Sequence, residues 1–403
     1  MPFFLRFKST VLCLSICFFA CSQKQKSNSH NDPIEKEIVV AANRTQKYLP
    51  QLKGKKVAVV ANQTSVIFKE KGFEHLVDSL LSLDVQIQKV FAPEHGFRGK
   101  ADAGELVEDG MDTKTGLPII SLHGKNRKPK QEHLEGIDMV IFDIQDVGVR
   151  FYTYIATLQL VMEACSESEI PVLVLDRPNP NASYVDGPTM EKEHIGFLGM
   201  QTIPLVYGMT MGEYATMINE EGWLENGRKA DLTIVPLENY THESTYSLPI
   251  RPSPNLPNDK AINLYPSLGL FEGTHINAGR GTEYQFQRYG ASFLDSMAFT
   301  YRYVPEPNFG SKYPKEEGKT CFGEDLSTHE DINSVSLQWL MKAYQNCTDK
   351  SQFFNTDGFT RHAGTEALQQ QIEAGLSEKE IMATWQADLD AFKEIRKKYL
   401  IYE

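Results

Sequence analysis

Short apolar runs alternate with helical segments between about residues 40 and 240, and this alternation constrains the fold of the chain strongly. The runs are rich in Val, Ile and Leu, and they span residues 56–61, 85–91, 138–142, 171–175 and 232–235. Helical spacing occurs between them at residues 73–81, 154–166 and 212–221. Continuous apolar runs separated by helices are typical of a parallel sheet that is covered on both faces. The pattern predicts an α/β fold with a Rossmann-like, mostly parallel sheet.

The length of 403 residues indicates more than one folded domain. Residues 251–257 read Arg-Pro-Ser-Pro-Asn-Leu-Pro, and the prolines make this segment extended and rigid. A turn-rich stretch follows, and helical patterns return near residues 331–344, 364–374 and 377–399. We predict a Rossmann-like domain at residues 41–250 and a smaller α+β C-terminal domain at residues 251–403, which closes a cleft.

The first residues have the pattern of a bacterial lipoprotein signal. Arg6 and Lys8 precede an apolar run at 10–20, which is too short to span a bilayer as a mature helix, and a small residue stands directly before Cys21. We predict a signal peptide with its lipidation cysteine at residues 1–21 and a flexible tether at residues 22–40. The protein would then be a membrane-anchored lipoprotein of the bacterial cell envelope, facing the periplasm. An ordinary cleaved secretory signal is the alternative.

Composition excludes several classes of function. The net charge of −12 argues against nucleic-acid binding, which needs a basic surface. No GxGxxG follows the first apolar run, so the Rossmann-like pattern implies no dinucleotide cofactor. Cys165, Cys321 and Cys347 form no CxxC pair, and neither a zinc site nor a redox motif is indicated. Cys165 lies on an apolar helical face, whereas Cys321 and Cys347 are candidates for pairing in an oxidising compartment.

Polar side chains capable of chemistry follow the apolar runs. Ligands of open α/β sheets bind outside the carboxyl ends of the strands. The run at 85–91 is followed by Glu94, His95 and Arg98. Glu94 is suited to proton transfer, His95 to orienting or sharing the proton, and Arg98 to binding an anion. The other strand ends add candidate side chains, namely Asn62, Asp143, Gln145, Asp146, Arg150, Tyr152, Asp176, Arg177 and Asn179. Helix caps and loop-bracing ion pairs are the structural alternative for each of them.

A second group of polar residues lies beyond the predicted boundary. Residues 271–283 are rich in glycine, which suits a loop that passes close to a ligand. The candidate contact residues in this loop are Glu272, His275, Asn277, Arg280 and Glu283. A glycine-rich connector with surface charges is the alternative.

Ordered motifs extend through nearly all of the predicted mature chain. They lie at residues 91–99, 142–154, 175–180, 186–188, 252–257, 265–274, 279–282, 363–365, 371–375 and 399–402. In these motifs the chain resembles the exo-β-N-acetylmuramidase (NamZ) family of peptidoglycan-degrading glycoside hydrolases. The resemblance implies release of N-acetylmuramic acid from the non-reducing end of peptidoglycan fragments, for cell-wall turnover or recycling. It implies small muramyl saccharides or muropeptides as partners, with neither a cofactor nor a metal ion.

The residues present suit such a substrate. Carboxyl groups flank the glycosidic bond in glycoside hydrolysis, and one of them protonates the leaving oxygen. We predict Glu94 as the principal carboxyl, acting as the general acid. Asp146, Asp143 and Glu283 are the candidates for its partner, and the substrate's own 2-acetamido group is another possible nucleophile. The lactyl carboxylate of muramic acid suits a planar guanidinium, and the candidate anchors are Arg98, Arg150, Arg177 and Arg280.

Three other classes of protein compete with this interpretation. A lipoprotein that binds sugars or muropeptides without cleaving them would also have two lobes, a hinge and a lipid tether. A metal-dependent hydrolase would use His95, Asp143 and Asp146 as ligands, although no HxH or HExxH pattern is present. A serine hydrolase lacks support because no GxSxG follows a strand.

Overall fold

The computed structural model of the chain describes residues 1, 36–99 and 109–402. The predicted signal peptide beyond Met1, Cys21 and the tether up to residue 35 lie outside the described residues. The strands are β1 Lys56–Ala61, β2 Val66–Phe68, β3 Phe73–His75, β4 Gln86–Ala92, β5 Gly110–Met111, β6 Pro118–Ser121, β7 Met139–Asp143, β8 Val172–Leu175, β9 Leu232–Val235, β10 Arg288–Ala291, β11 Tyr301–Tyr303 and β12 Cys321–Asp325. The helices are α1 Thr45–Leu52, α2 Leu76–Ser82, α3 Gln131–Leu134, α4 Tyr154–Glu167, α5 Met211–Glu220, α6 Asp259–Leu268, α7 Gln338–Gln345, α8 Thr356–Ala363, α9 Ala367–Glu373 and α10 Glu378–Arg396.

Seven of the strands in the described residues form one sheet, in the order β5-β6-β4-β1-β7-β8-β9. All neighbours in it are parallel except the edge pair β5–β6. The predicted mostly parallel sheet is therefore confirmed. Strand β1 lies between β4 and β7, so the loops that follow these three strands meet at one edge of the sheet.

Both faces of this sheet are covered, as the continuous apolar runs predict. Val57 and Val59 of β1 belong to a core that includes side chains of α1 and α2. Ala58 and Val60 point to the other face and belong to a core that includes side chains of α4 and α5. Successive residues of a strand face opposite sides, so a strand buried on both faces needs apolar residues at every position.

The second half of the chain is α+β, in agreement with the prediction. Strands β10, β12 and β11 form an antiparallel sheet, and α6 to α10 accompany it. Helix α10 begins at the predicted capping box, in which the backbone N–H of Ser377 donates to the Glu380 carboxylate at 2.8 Å. From Ile38 onward the chain forms one compact unit. The division into two domains near residue 250 stays a prediction.

Several predicted boundaries were wrong. The helix predicted at 73–81 begins at Leu76, because residues 73–75 form β3 and pair with β2. The His75 ring caps the helix by accepting a hydrogen bond from the N–H of Val77. The helix predicted at 331–344 begins only at Gln338. Gly364 adopts a φ of +83° and ends α8, so the helix predicted from that residue starts at Ala367 instead.

The cysteine pairing considered from the sequence does not form. Cys165, Cys321 and Cys347 are all buried free thiols. Among residues 36–99 and 109–402, no helix is long and apolar enough to cross a membrane.

Candidate active site

Glu94 stands in a tight turn directly after β4. The N–H of Gly96 donates to the carbonyl of Pro93 at 3.0 Å and closes the turn. Both His95, with φ +68°, and Gly96, with φ +75°, lie in the left-handed region. A non-glycine residue held there costs about 1–3 kcal/mol and persists only where its surroundings enforce it. His95 is 4% exposed, so its ring is packed inside the protein. Glu94 directly precedes this buried residue in the strained turn.

The loop before α4 holds Glu94 in place. The hydroxyl of Thr153 donates to the Glu94 carboxylate at 2.9 Å, and the hydroxyl of Tyr154 lies 3.4 Å from the Glu94 carbonyl and donates to it. The amide of Asn62 donates in turn to the Tyr154 hydroxyl at 2.9 Å. Asn62 is fully buried, so it positions Tyr154 rather than contacting substrate as the sequence predicted.

Glu94 lines a cleft of about 640 Å³ between the sheet edge and the second half of the chain. The described residues that line it are Glu94, His95, Phe151, Tyr152, Thr153, Tyr154, Leu198, Ser253, Asn255, Leu256, Tyr265, Glu272, Arg280, Phe286 and His362. The cleft therefore combines carboxylates, a guanidinium and several aromatic rings, a set of groups suited to a polar ligand with apolar faces.

Tyr265 is the centre of the aromatic wall. Its ring contacts Phe151, Phe286 and Tyr152 edge to face, with centroids at 5.2, 4.7 and 6.1 Å. Such contacts fix the orientation of the rings. A rigid aromatic wall beside a carboxylate offers a packing surface for the C–H face of a sugar ring.

The second carboxylate of the cleft, Glu272, is paired with Arg280 at 2.8 Å. Burial acts to raise the pKa of Glu272, but the positive charges of Arg280 and Lys315 and the hydrogen bond from Arg280 outweigh burial and lower the pKa to about 2. Glu272 is therefore ionised at any physiological pH.

His362 completes the wall opposite the sheet. Its Nδ1 lies 2.8 Å from the carbonyl of Gly358, and since a carbonyl only accepts, Nδ1 carries the proton. Burial lowers the pKa of His362, which favours the neutral ring with an unprotonated Nε2. The cleft thus gains a neutral imidazole beside the ionised Glu272.

Comparison with known proteins decides the family. Residues 57–260 match the model described as "Exo-beta-N-acetylmuramidase NamZ, N-terminal", and residues 263–402 match its C-terminal counterpart. The chain belongs to the NamZ family. It is 37% identical over 377 residues to the peptidoglycan beta-N-acetylmuramidase NamZ of Bacillus subtilis (strain 168), covering 88% of this chain and 89% of that protein.

Two crystal structures of DUF1343 family proteins from Bacteroides fragilis NCTC 9343 have the same fold. One is 41% identical with a TM-score of 0.83, and the other is 26% identical with a TM-score of 0.75. Each match covers 91% of this chain and 99% of the other.

In this NamZ-family chain, the structure brings five of the predicted residues together in the cleft. They are Glu94, His95, Tyr152, Glu272 and Arg280. Glu94 and Arg280 come from opposite halves of the sequence, so the two groups of residues predicted separately belong to one cleft.

Asp143, Asp176 and Arg177 serve the fold instead. Arg177 binds both carboxylate oxygens of Asp143 at 2.6 and 2.9 Å, and the side chains are 2% and 0% exposed. Asp176 accepts from the hydroxyl of Thr210 at 2.7 Å and from that of Tyr402 at 2.6 Å, which ties the end of the chain to the sheet. All three predicted side chains are buried and hydrogen-bonded within the fold, as buried charged groups require.

Arg98 and Arg150 are also occupied. Arg98 is paired with Asp78 at 3.2 Å and with Asp112 at 2.7 Å. Arg150 is fully buried and donates to the backbone carbonyls of Pro188, Ile203, His362 and Ala363. Neither is among the described residues that line the cleft, and the prediction that they contact substrate finds no support here.

Asp146 is buried and is not among the described residues that line the cleft. It accepts from the N–H of Gly148 at 2.7 Å and from the hydroxyl of Tyr207. Burial raises the pKa of Asp146 to about 7, although these two bonds oppose the rise. Burial is the main cause of the raised pKa of Tyr152 and of Tyr265, which line the cleft, and the negative charge of Asp146 adds to the rise at both.

The other predicted contact residues shape loops or face solvent. Gln145 donates to the carbonyl of Asp146 at 2.8 Å, and Asn179 donates to that of Met209 at 2.8 Å. Asn277 donates to the carbonyl of Arg280 at 2.9 Å and so holds the loop that presents the guanidinium. His275 and Glu283 are exposed, and neither is among the described residues that line the cleft.

The ligand set considered for a metal does not form: among the described residues, no group of three His, Cys, Asp or Glu side chains is placed to hold an ion.

Sequence reasoning missed Thr153, Tyr265 and His362. Each had an available signal, since Thr153 and Tyr265 lie inside the motifs at 142–154 and 265–274, and His362 directly precedes the motif at 363–365. Their side chains carry no charge pattern that separates them from core residues, which is why the motifs alone did not single them out.

Proposed function

We propose that this chain is an exo-acting glycoside hydrolase that releases N-acetylmuramic acid from the non-reducing end of peptidoglycan fragments. The observation that carries the proposal is the cleft of a NamZ-family chain in which Glu94, the Glu272–Arg280 pair and an aromatic wall meet. These are the groups needed to protonate a glycosidic oxygen, to stabilise positive charge at the sugar and to hold a carboxylate-bearing ring.

Glu94 acts as the general acid in this proposal. Its carboxyl proton passes to the glycosidic oxygen as the bond to the anomeric carbon breaks, and the leaving sugar departs as an alcohol. The oxygen of a water molecule bonds to the anomeric carbon to give N-acetylmuramic acid, and the proton that this water loses returns to the Glu94 carboxylate. The hydroxyl of Thr153, which donates to the Glu94 carboxylate, orients the carboxyl in the cleft. Proton transfer of this kind typically contributes a factor of about 10²–10⁴ to the rate.

Glu272 is the group we propose as the second carboxylate. Arg280 keeps it ionised, and a fixed negative charge stabilises the oxocarbenium character that develops at the anomeric carbon. The partners predicted from the sequence have weaker support, because Asp143 is paired with Arg177, Asp146 is buried and accepts from Tyr207, and Glu283 faces solvent.

Arg280 is the proposed anchor for the lactyl carboxylate of muramic acid. Of the four predicted arginines, it is the one among the described lining residues of the cleft. A guanidinium presents five donors in a planar fork, so a bond to Glu272 at one nitrogen is compatible with binding a second carboxylate.

Arg280→Lys tests the anchor while keeping the positive charge beside Glu272. A charged hydrogen bond is worth about 1.5–3 kcal/mol, so we expect kcat/KM for a muramyl substrate to fall about tenfold to a hundredfold. Activity on the N-acetylglucosaminyl analogue, which lacks the lactyl group, should change little. Steady-state kinetics on both substrates measures the difference. An equal loss on both would limit the role of Arg280 to its pairing with Glu272.

Product analysis tests the reaction itself. The purified protein should release N-acetylmuramic acid, identified by mass, from the disaccharide of N-acetylmuramic acid linked β-1,4 to N-acetylglucosamine. Longer glycans should react only when N-acetylmuramic acid is the non-reducing terminal sugar. Binding in calorimetry with no product would support the non-catalytic sugar-binding alternative instead.

We also propose that the mature protein is a lipoprotein of the bacterial cell envelope, anchored through Cys21 and facing the periplasm. The support is the basic residues, short apolar run and small residue that precede Cys21. In cells, Cys21→Ser should abolish incorporation of labelled fatty acid and should move the protein from the membrane fraction to the soluble fraction. Continued lipid labelling of the variant would refute the anchor.

A further inference from the structure

A second cavity of about 640 Å³ adjoins the cleft. Glu272 and Arg280 line both of them, so the two spaces share one wall. The far side of the second cavity includes Ser311, Tyr313 and Pro314. A ligand bound against Glu94 therefore has room to continue past the Glu272–Arg280 pair.

The loop that forms the far side is fixed to the walls of the cleft. The ammonium of Lys315 donates to the carbonyls of Phe271, Glu272 and Thr274 at 2.9, 3.0 and 2.7 Å. At the other end of the loop, the amide of Asn255, which lines the cleft, donates to the carbonyl of Gly310 at 2.5 Å. These bonds hold the loop in one position relative to the cleft.

This fixed loop exposes aromatic rings. Tyr313 is 89% exposed and lines the second cavity, and Phe309 on the same loop is 65% exposed. Isolated exposed apolar residues are common on protein surfaces, so the position of Tyr313 at the rim of a polar cavity is the informative observation. Their flat faces suit the C–H face of a sugar ring.

The polar groups of the second cavity suit a sugar. Lys315 uses its three donors on three carbonyls, and Arg280 is paired with Glu272. An N-acetylhexosamine needs only hydrogen-bonding groups and an aromatic face, and the lining with Tyr313 provides both.

We infer that the second cavity binds the leaving-side sugar, the N-acetylglucosamine that follows N-acetylmuramic acid, with its ring stacked on Tyr313. The inference rests on the proposed function, because it assigns the part of the same substrate that lies beyond the cleaved bond. Tyr313 would then increase the affinity for substrates that carry a leaving-side sugar, relative to simple glycosides that lack one.

The test compares two substrates that differ on the leaving side. One is the disaccharide of N-acetylmuramic acid and N-acetylglucosamine, and the other is the methyl β-glycoside of N-acetylmuramic acid, which has no leaving sugar. Tyr313→Ala should raise KM for the disaccharide about fivefold relative to KM for the methyl glycoside. Tyr313→Phe, which keeps the ring, should restore the wild-type ratio.

Leu83→Ala is the matched control. Leu83 is 46% exposed and lies at the end of α2, before β4 begins, and therefore at the opposite edge of the sheet from the cleft. It should leave the KM ratio unchanged.

Three results would overturn the inference. In the first, Tyr313→Ala changes KM equally for both substrates or for neither. In the second, KM rises only when the substrate carries a stem peptide, which would make the cavity a peptide site. In the third, the wild-type protein releases no N-acetylmuramic acid from either substrate, and the proposed function fails with the inference.

Discussion

Glu94→Gln should lower kcat for the muramyl disaccharide about a thousandfold, because the amide cannot deliver a proton to the glycosidic oxygen. Glutamine has the shape of glutamate and still accepts the hydrogen bond that Thr153 donates to the carboxylate. The turn at His95 and Gly96 should therefore stay intact, and KM should change much less than kcat. Steady-state kinetics with a matched thermal-unfolding measurement checks both parts.

The leaving group separates acid catalysis from other roles of Glu94. A dinitrophenyl leaving group departs without a proton, so Glu94→Gln should lose far less activity on the dinitrophenyl muramide than on the disaccharide. Glu74→Gln is the control for the substitution itself, since Glu74 forms a surface ion pair with Lys69. Near-normal turnover of the disaccharide by Glu94→Gln would remove Glu94 from the mechanism.

Arg177→Met should lower the free energy of unfolding by about 3–5 kcal/mol, because it leaves the Asp143 carboxylate buried without a partner. Both side chains are almost inaccessible to solvent, and two hydrogen bonds join them. The backbone carbonyl of Val66 also loses the donor that Arg177 provides at 2.9 Å. Urea unfolding of the variant and the wild type at pH 7 measures the difference.

Two further variants show whether the buried charge is the cause. The double variant Asp143→Leu/Arg177→Met removes both charges, so it should recover a large part of the lost stability. Lys229→Met breaks the exposed pair with Glu220 and should cost only about 0–1 kcal/mol. If the double variant is less stable than Arg177→Met, the unpaired carboxylate does not explain the loss.

The sheet was predictable because burial on both faces leaves a direct mark on the sequence. Val57 to Val60 alternate between two cores, and each position needs an apolar residue whichever way it points. Helix boundaries were harder where two local structures compete. Residues 73–75 have helical spacing with the residues after them, yet pairing with β2 makes them a strand.

The candidate site was predictable only in part. Glu94 and Asp143 are both acidic residues at the carboxyl end of a parallel strand, and nothing in their local sequence separates them. In the fold, Glu94 enters the cleft on a strained turn, whereas Asp143 is still within β7 and is paired with Arg177. Which acid meets solvent depends on the direction of one side chain and on the distant residue that reaches it.

By itself, the sequence determined the parallel sheet, the edge at which its loops meet and the resemblance that named a substrate, because periodicity and motifs are local properties of the chain. The tertiary structure decided which charged groups face the cleft. It joined Glu94 to Glu272, Arg280 and His362 across more than 170 residues, and it kept Arg98, Arg150 and Arg177 for the fold. A charge is buried with a partner or left facing a ligand according to what surrounds it in space, and sequence order does not contain that information.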